Sequence, residues 1–249
     1  MKKQWHSSKA RDAIVLIGMM MPTLGVSLSG AARDEDEQAR VTTASPTLPP
    51  AEKAYGAKDA PLTFELFTDY SCRMCRNLFE QSLRPMITDY VVPGKVYLVH
   101  HDYPSRTPVR RYSMQAARWA TAAAQIGRFG AVEAALYDNR NSWVADGQLK
   151  KYVAGAMSAA DFQRVQKIME GCDPPGPSDK ADDGVNPSSY PCAVDPYIEH
   201  DMLLGKEVPV NATPTFVITY KGQRLFLGSG FVSWPLLKQL LDSLLAKYQ

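Results

Sequence analysis

The stretch LTFELFTDYSCRMC, residues 62–75, decides the fold. Leu62 to Thr68 is a short, mostly apolar run that reads as a β-strand. Cys72 and Cys75 follow it, three positions apart. Beyond them Leu78, Phe79, Leu83, Ile87 and Tyr90 recur at helical steps, so Cys72 falls at the N-terminus of a helix. Pro85 is expected to kink that helix. Pro93-Gly94 turns the chain, and Lys95 to His101 (KVYLVHH) reads as a second strand. Strand, helix and strand in about 40 residues predict a right-handed βαβ unit with parallel strands.

The position of Cys72 has a chemical consequence. Unpaired N–H groups and the dipole at a helix N-terminus favour an anion, which lowers a thiol pKa, and the thiolate is the nucleophile. Arg73 adds a positive charge one residue away. Cys75 lies within reach of Cys72, so the pair can close into a disulfide and reopen through a mixed disulfide. Three other readings of the pair compete. Haem attachment needs a His after the second cysteine, where Arg76 stands. A zinc site needs a second pair at matching spacing, and Cys172 and Cys192 are twenty apart. A purely structural bridge usually closes a longer loop.

At this point the chain resembles a family. FELFTDYSCRMCRNLFEQSLRPMITDYVVPGKVYLVHHDYP is similar to the first half of the DsbA-type thiol:disulfide oxidoreductases, within the thioredoxin superfamily. VNATPTFVITYKGQRLFLGSGFVSWPLLKQLL is similar to the second half, and QAARWATAAAQIGRF to the family's inserted helical domain. The resemblance covers roughly residues 55–249. It implies a thioredoxin-like α/β fold with a helical insertion, and it places Thr213-Pro214 at the family's cis-proline position, facing Cys72 and Cys75. A cis bond there presents the Thr213 backbone to an extended substrate chain. One position departs from the pattern. Six residues before the first cysteine the family often has a buried acid, and here stands Leu66. Glu65 is one residue off, on the opposite face of the strand.

The rest of the chain frames these halves. Ala-rich helical stretches are expected from about Arg110 to Ile126, Phe129 to Tyr137, Gly147 to Ala156 and Ala159 to Met169. Gly127 and Asn139–Ser142 punctuate them, and Trp119, Phe129, Tyr137 and Trp143 are expected mainly in the core. Residues 172–192 hold five prolines and two glycines and read as a loop. Cys172 and Cys192 are expected to staple that loop with a second disulfide, worth ~3 kcal/mol in the chain-entropy model. A regulatory or electron-relaying pair is the alternative. A helix from about Val194 to Leu204 follows, then strands at Thr215–Tyr220 and Arg224–Leu227 as a hairpin. A final helix runs from about Ser233 to Lys247, with leucines on one face. His100 and His101 are read as a polar strand end near the edge of the site.

The N-terminus reads as an address. Lys2, Lys3, Lys9 and Arg11 precede the apolar run Ala13–Leu28 and the small residues Ser29-Gly30-Ala31-Ala32, the layout of a cleavable signal peptide. An uncleaved membrane tether is the alternative. Residues 33–54 are charged, then Pro- and Thr-containing, and read as a disordered tether. Of 249 residues, 28 are Lys or Arg and 26 are Asp or Glu, a formal charge of +2. Losing residues 1–32 removes four basic residues and one acidic, which leaves −1. That balance gives no footprint for nucleic acid. The expected organisation is signal peptide 1–32, tether 33–54, thioredoxin-like first half 55–107, helical insertion and loop 108–192, and second half 193–249.

The expected activity is exported thiol:disulfide exchange with cysteines of secreted proteins, oxidase favoured, with no cofactor and no metal. The alternatives are a periplasmic reductase, or a peptide- or metal-binding module on the same scaffold. The expected partners are unfolded or folding secreted proteins and a membrane redox partner, either a quinone-linked reoxidant or a reductant.

Overall fold

The computed structural model describes residues 52–107, 110–172 and 192–248. The expected signal peptide, nearly all of the tether and the interior of the loop lie outside the described residues.

Five strands form one mixed sheet in the order β1-β3-β2-β4-β5. They are β1 (Ala54–Tyr55), β2 (Leu62–Thr68), β3 (Val96–Asp102), β4 (Thr215–Tyr220) and β5 (Gln223–Ser229). β2 and β3 pair parallel, with Leu62 opposite Val96 and Thr68 opposite Asp102, so the βαβ unit is as expected. β4 pairs antiparallel with β2 and β5 antiparallel with β4. β1 pairs antiparallel with β3, Ala54 opposite Val99. The boundary expected between residues 54 and 55 therefore falls inside a strand, and Lys53 is already buried. A two-residue strand carries no periodicity, so its sequence reads like the tether before it.

The two faces of β2 part the core. Leu62, Phe64 and Leu66 are buried in the larger cluster, with Leu78, Leu83 and Leu237. Phe67 packs on the other side with Val208, Val210 and Val217. There α8 (Asp195–Glu207) lies against β3. At Gly205 of α8 a Cβ would stand 2.4 Å from the Tyr103 ring, so helix and ring approach only because that position has no side chain.

The first helix is not a simple kinked rod. α1 (Arg73–Leu78) widens into a π-helical segment (Phe79–Leu83) and returns to α2 (Arg84–Met86), which holds Pro85. It then widens again over Ile87–Val91, where Val92 N–H donates to Ile87 O at 2.9 Å. Proline lacks a donor and crowds the carbonyl one turn back. Wider turns flank the proline on either side, and such insertions, like proline itself, are where helices bend.

The helical block holds α3 (Ser113–Ala124), α4 (Phe129–Asp138), α5 (Arg140–Asp146), α6 (Leu149–Ala154) and α7 (Ala159–Ile168). α5 occupies ground read from the sequence as punctuation, and it stops at Gly147, whose φ of 71° is left-handed. The small faces of α3 bury Ala116, Ala120 and Ala123. Cys172 and Cys192 form a disulfide at the base of the loop. Arg118 fastens it: the guanidinium donates to both oxygens of Asp195, at 2.7 and 2.8 Å, and to Cys172 O at 2.9 Å. α9 (Trp234–Tyr248) closes the fold, with Leu237 and Leu241 buried. No helix among the described residues is long and apolar enough to cross a membrane.

Candidate active site

β2 ends at Thr68, and the next four residues turn the chain into α1. Asp69 builds that turn. Its buried Oδ1 accepts from Ser71 N and Ser71 Oγ at 2.9 and 2.8 Å. Its Oδ2 accepts from Ser105 N, Ser113 Oγ and Arg110 Nη1, at 3.1, 3.0 and 3.3 Å. Cys72 N–H donates to Asp69 O at 2.9 Å. Cys72 is thereby held at the N-cap of α1 in an extended conformation, φ −75° and ψ 123°, and no side chain caps the helix. A sulfur there faces the positive end of the helix.

Both cysteines are reduced and buried, and their surroundings push them apart. A hydrogen bond from the Cys75 thiol is the main cause that lowers Cys72; burial opposes it. The Cys75 N–H, Thr213 and the positive charge of Arg110 add to the lowering, and the thiol comes to about 5. Burial pushes Cys75 well up, and the charge on Cys72 adds to this. One pair thus holds a nucleophile that is ionised at neutral pH and a partner that keeps its proton.

Thr213 arrives from far along the chain. The Cys72 sulfur lies 3.3 Å from Thr213 O, and the Thr213–Pro214 peptide bond is cis. Arg73 is exposed, and the guanidinium of Arg110 favours the Cys72 thiolate. Arg140, at the start of α5, also borders the site, its Nε and Nη2 donating to Ser71 O at 2.8 and 2.6 Å. Sequence reasoning passed over Asp69, Arg110 and Arg140. The basic pair Arg110-Arg111 was visible, but nothing in the spacing ties the helical block to residue 72.

Leu66 is buried in the apolar core, at the position where the resemblance calls for an acid. Glu65 points the other way and meets His101, Nε2 to Oε2 3.2 Å. Beneath Cys75 stand hydroxyls. Thr68 favours its thiolate by hydrogen bonding, and Thr68 Oγ1 lies 2.5 Å from Tyr137 OH. Tyr137 comes from α4 and is fully buried. It is core, as expected of it, and it also places a hydroxyl in the layer under the cysteines.

The two histidines differ. His101 lies on the α8 side, where its Nδ1 stands 3.0 Å from Asp201 Oδ1. Asp201 also meets Lys53, and Lys53 Nζ is 2.5 Å from Asp102. His100 faces Glu133 across 2.7 Å, out of line for a hydrogen bond, and Glu133 accepts from Tyr55 OH. Among the described residues, no group of three or more His, Cys, Asp or Glu is arranged to hold a metal.

Comparison with known proteins bears on the fold that carries this site. The family model described as thioredoxin matches residues 49–223. No curated protein matches the chain. Among solved structures, alpha-DsbA1 of Wolbachia pipientis superposes with a TM-score of 0.59 at 15% identity, over 80% of this chain and 93% of that one. A thioredoxin-like oxidoreductase from Silicibacter pomeroyi DSS-3 gives 0.52 at 22%, over 79% and 94%. BdbD from Bacillus subtilis gives 0.53 at 16%, over 78% and 92%. At these identities the likeness is one of fold: a DsbA-like thioredoxin fold with a helical insertion.

Proposed function

The chain belongs to the thioredoxin family, and from that premise we propose that it is an exported thiol:disulfide oxidoreductase, working as an oxidase through Cys72 and Cys75. The observation that carries the reading is the opposed state of the two thiols, Cys72 brought to about 5 and Cys75 pushed well up.

The chemistry follows from that opposition. With Cys72 and Cys75 joined, a client thiol attacks the Cys72 sulfur. A client–Cys72 disulfide forms, the Cys72–Cys75 bond breaks, and the proton lost by the client thiol ends on Cys75. A second client thiol then attacks the client sulfur of the mixed disulfide. The client disulfide forms, its proton goes to solvent, and Cys72 leaves as a thiolate. Two electrons pass from client to enzyme. A thiolate stable at neutral pH is a good leaving group and stabilises the reduced enzyme, which makes the disulfide form a strong oxidant. Thr213, beside Cys72, offers backbone groups to an extended client strand. Clients are unfolded or folding secreted proteins, and a quinone-linked membrane partner takes the electrons. The case for export rests on residues 1–32, with a membrane tether as the outcome if they stay uncleaved.

The potential of the Cys72–Cys75 couple tests the direction. The expected value lies well above that of thioredoxin, toward ~−120 mV, and a couple near ~−270 mV would make the protein a reductase. Absence of any exchange with protein thiols would leave the binding-module reading.

A further inference from the structure

Two arginines follow Cys72 closely in sequence, and two more carry charges that act on it through space. Arg73 and Arg76 come from α1, Arg110 from the segment before α3 and Arg140 from the start of α5. Two of them are neutralised. Arg76 pairs with Glu80 at 2.8 Å, and Arg110 with the buried Asp69 at 3.3 Å. The other two meet no carboxylate among the described residues. Arg73 is exposed. Arg140 spends Nε and Nη2 on one carbonyl oxygen, that of Ser71, and its Nη1 on Asn141 Oδ1 at 3.1 Å.

Resting on the exchange chemistry proposed above, we infer that the preferred clients carry an Asp or Glu next to the reacting cysteine, and that Arg140, helped by Arg73, selects them. Neighbouring Cα atoms lie ~3.8 Å apart, and Ser71, the residue that holds Arg140, is next to Cys72. A client residue flanking the disulfide therefore meets this rim. The charge state of the site sharpens the selection. Burial, Arg76 and Arg110 all disfavour the Arg140 cation, while the Cys72 thiolate and, less strongly, Asp69 favour it. In the disulfide form that thiolate is gone, and with it the larger of the two charges that favour the Arg140 cation. A client carboxylate supplies the missing charge at the moment of attack. Once Cys72 is released as a thiolate it supplies the charge itself, so the carboxylate loses its advantage and the oxidised client leaves.

The test uses the oxidised protein and three single-cysteine peptides of equal length, with Glu, Gln or Lys on both sides of the cysteine. Mixed-disulfide formation is timed for the native protein, Arg140→Gln and Arg140→Lys. Comparing proteins on the same peptides cancels the peptides' own thiol reactivities. The Glu-over-Lys rate ratio is expected to fall about fivefold in Arg140→Gln, the scale of one partly exposed charge pair, and to survive largely in Arg140→Lys. In the native protein the ratio should shrink when salt is raised from 0.02 to about 0.5 M. A serine analogue of the Glu peptide should bind the oxidised form more tightly than the reduced form. A ratio unmoved by both the substitution and salt overturns the inference and leaves the exchange reading intact. If Arg140→Gln does not fold, the salt series on the native protein decides. If no peptide reacts in any protein, the exchange reading falls and this inference with it.

Discussion

Cys72 is the residue on which the chemistry turns, and its charge is set mostly by its partner. The leading cause is the hydrogen bond from Cys75, ahead of Thr213 and Arg110. In the reduced protein, alkylation at Cys72 should therefore follow a titration with a midpoint of about 5. In Cys75→Ala the midpoint should climb toward the ordinary thiol value, ~8.5, and mixed disulfides with clients should accumulate because the escape route is gone. Cys72→Ala should trap none. Adducts on Cys72→Ala and none on Cys75→Ala would reverse the two roles. Arg110→Gln should raise the midpoint by less than Cys75→Ala does, and an unchanged midpoint would remove Arg110 from the groups that favour the thiolate.

Among the elements, α8 shows how closely the fold is fitted. Gly205 faces Tyr103, whose hydroxyl donates to Val210 O at 3.2 Å, and Phe67 lies beyond. Replacing Gly205 with Ala gains ~1 kcal/mol of helix propensity. The new Cβ meets a ring atom at 2.4 Å, and overpacking of this kind costs ~1–3 kcal/mol. The ring cannot swing aside without losing its hydroxyl contact and pressing on Phe67. The clash wins, and urea unfolding of Gly205→Ala should show a net loss of up to ~2 kcal/mol. A gain in stability would mean that α8 is free to slide. The position of the helical block has the same character: Tyr137 of α4 stacks on Phe79, their ring centres 4.8 Å apart, and so places its hydroxyl under Cys75.

For the molecule as a whole, the buried charges on the α8 side make stability depend on pH. Burial disfavours the His101 imidazolium, yet hydrogen bonds to Asp201 and Glu65 outweigh it and raise His101 to about 9. The unfolded value is ~6.5. Folding thus favours the protonated form, so the contribution is complete below pH ~6.5 and is lost as pH rises through about 9. It amounts to at most ~3 kcal/mol. The measurement belongs on the oxidised protein, because Cys72 acts the other way when reduced: its folded value is depressed, so it adds stability as pH rises above about 5. Urea midpoints of the oxidised protein should fall between pH 6.5 and 9, and His101→Gln should flatten that slope. A slope retained in the variant would assign it to another group.

Much of this was legible along the chain. Alternating strand and helical patterns placed β2, α1, β3, β4, β5 and α9 within a few residues, because each pattern is local and repeats over several turns or pleats. The CxxC pair at a strand-to-helix junction located the reactive thiol for the same reason, since the helix terminus that activates Cys72 is built by its immediate neighbours. β1 escaped notice because two residues cannot show a period. Only the tertiary structure decided the electrostatics. It set Lys53 against Asp201 across 148 positions, and Arg110 and Arg140 beside a thiol in another segment. It also left Arg73, the nearest cation in sequence, exposed and added Arg110. Charges act through space and burial, and a chain that folds back on itself makes distance along the sequence a poor measure of either.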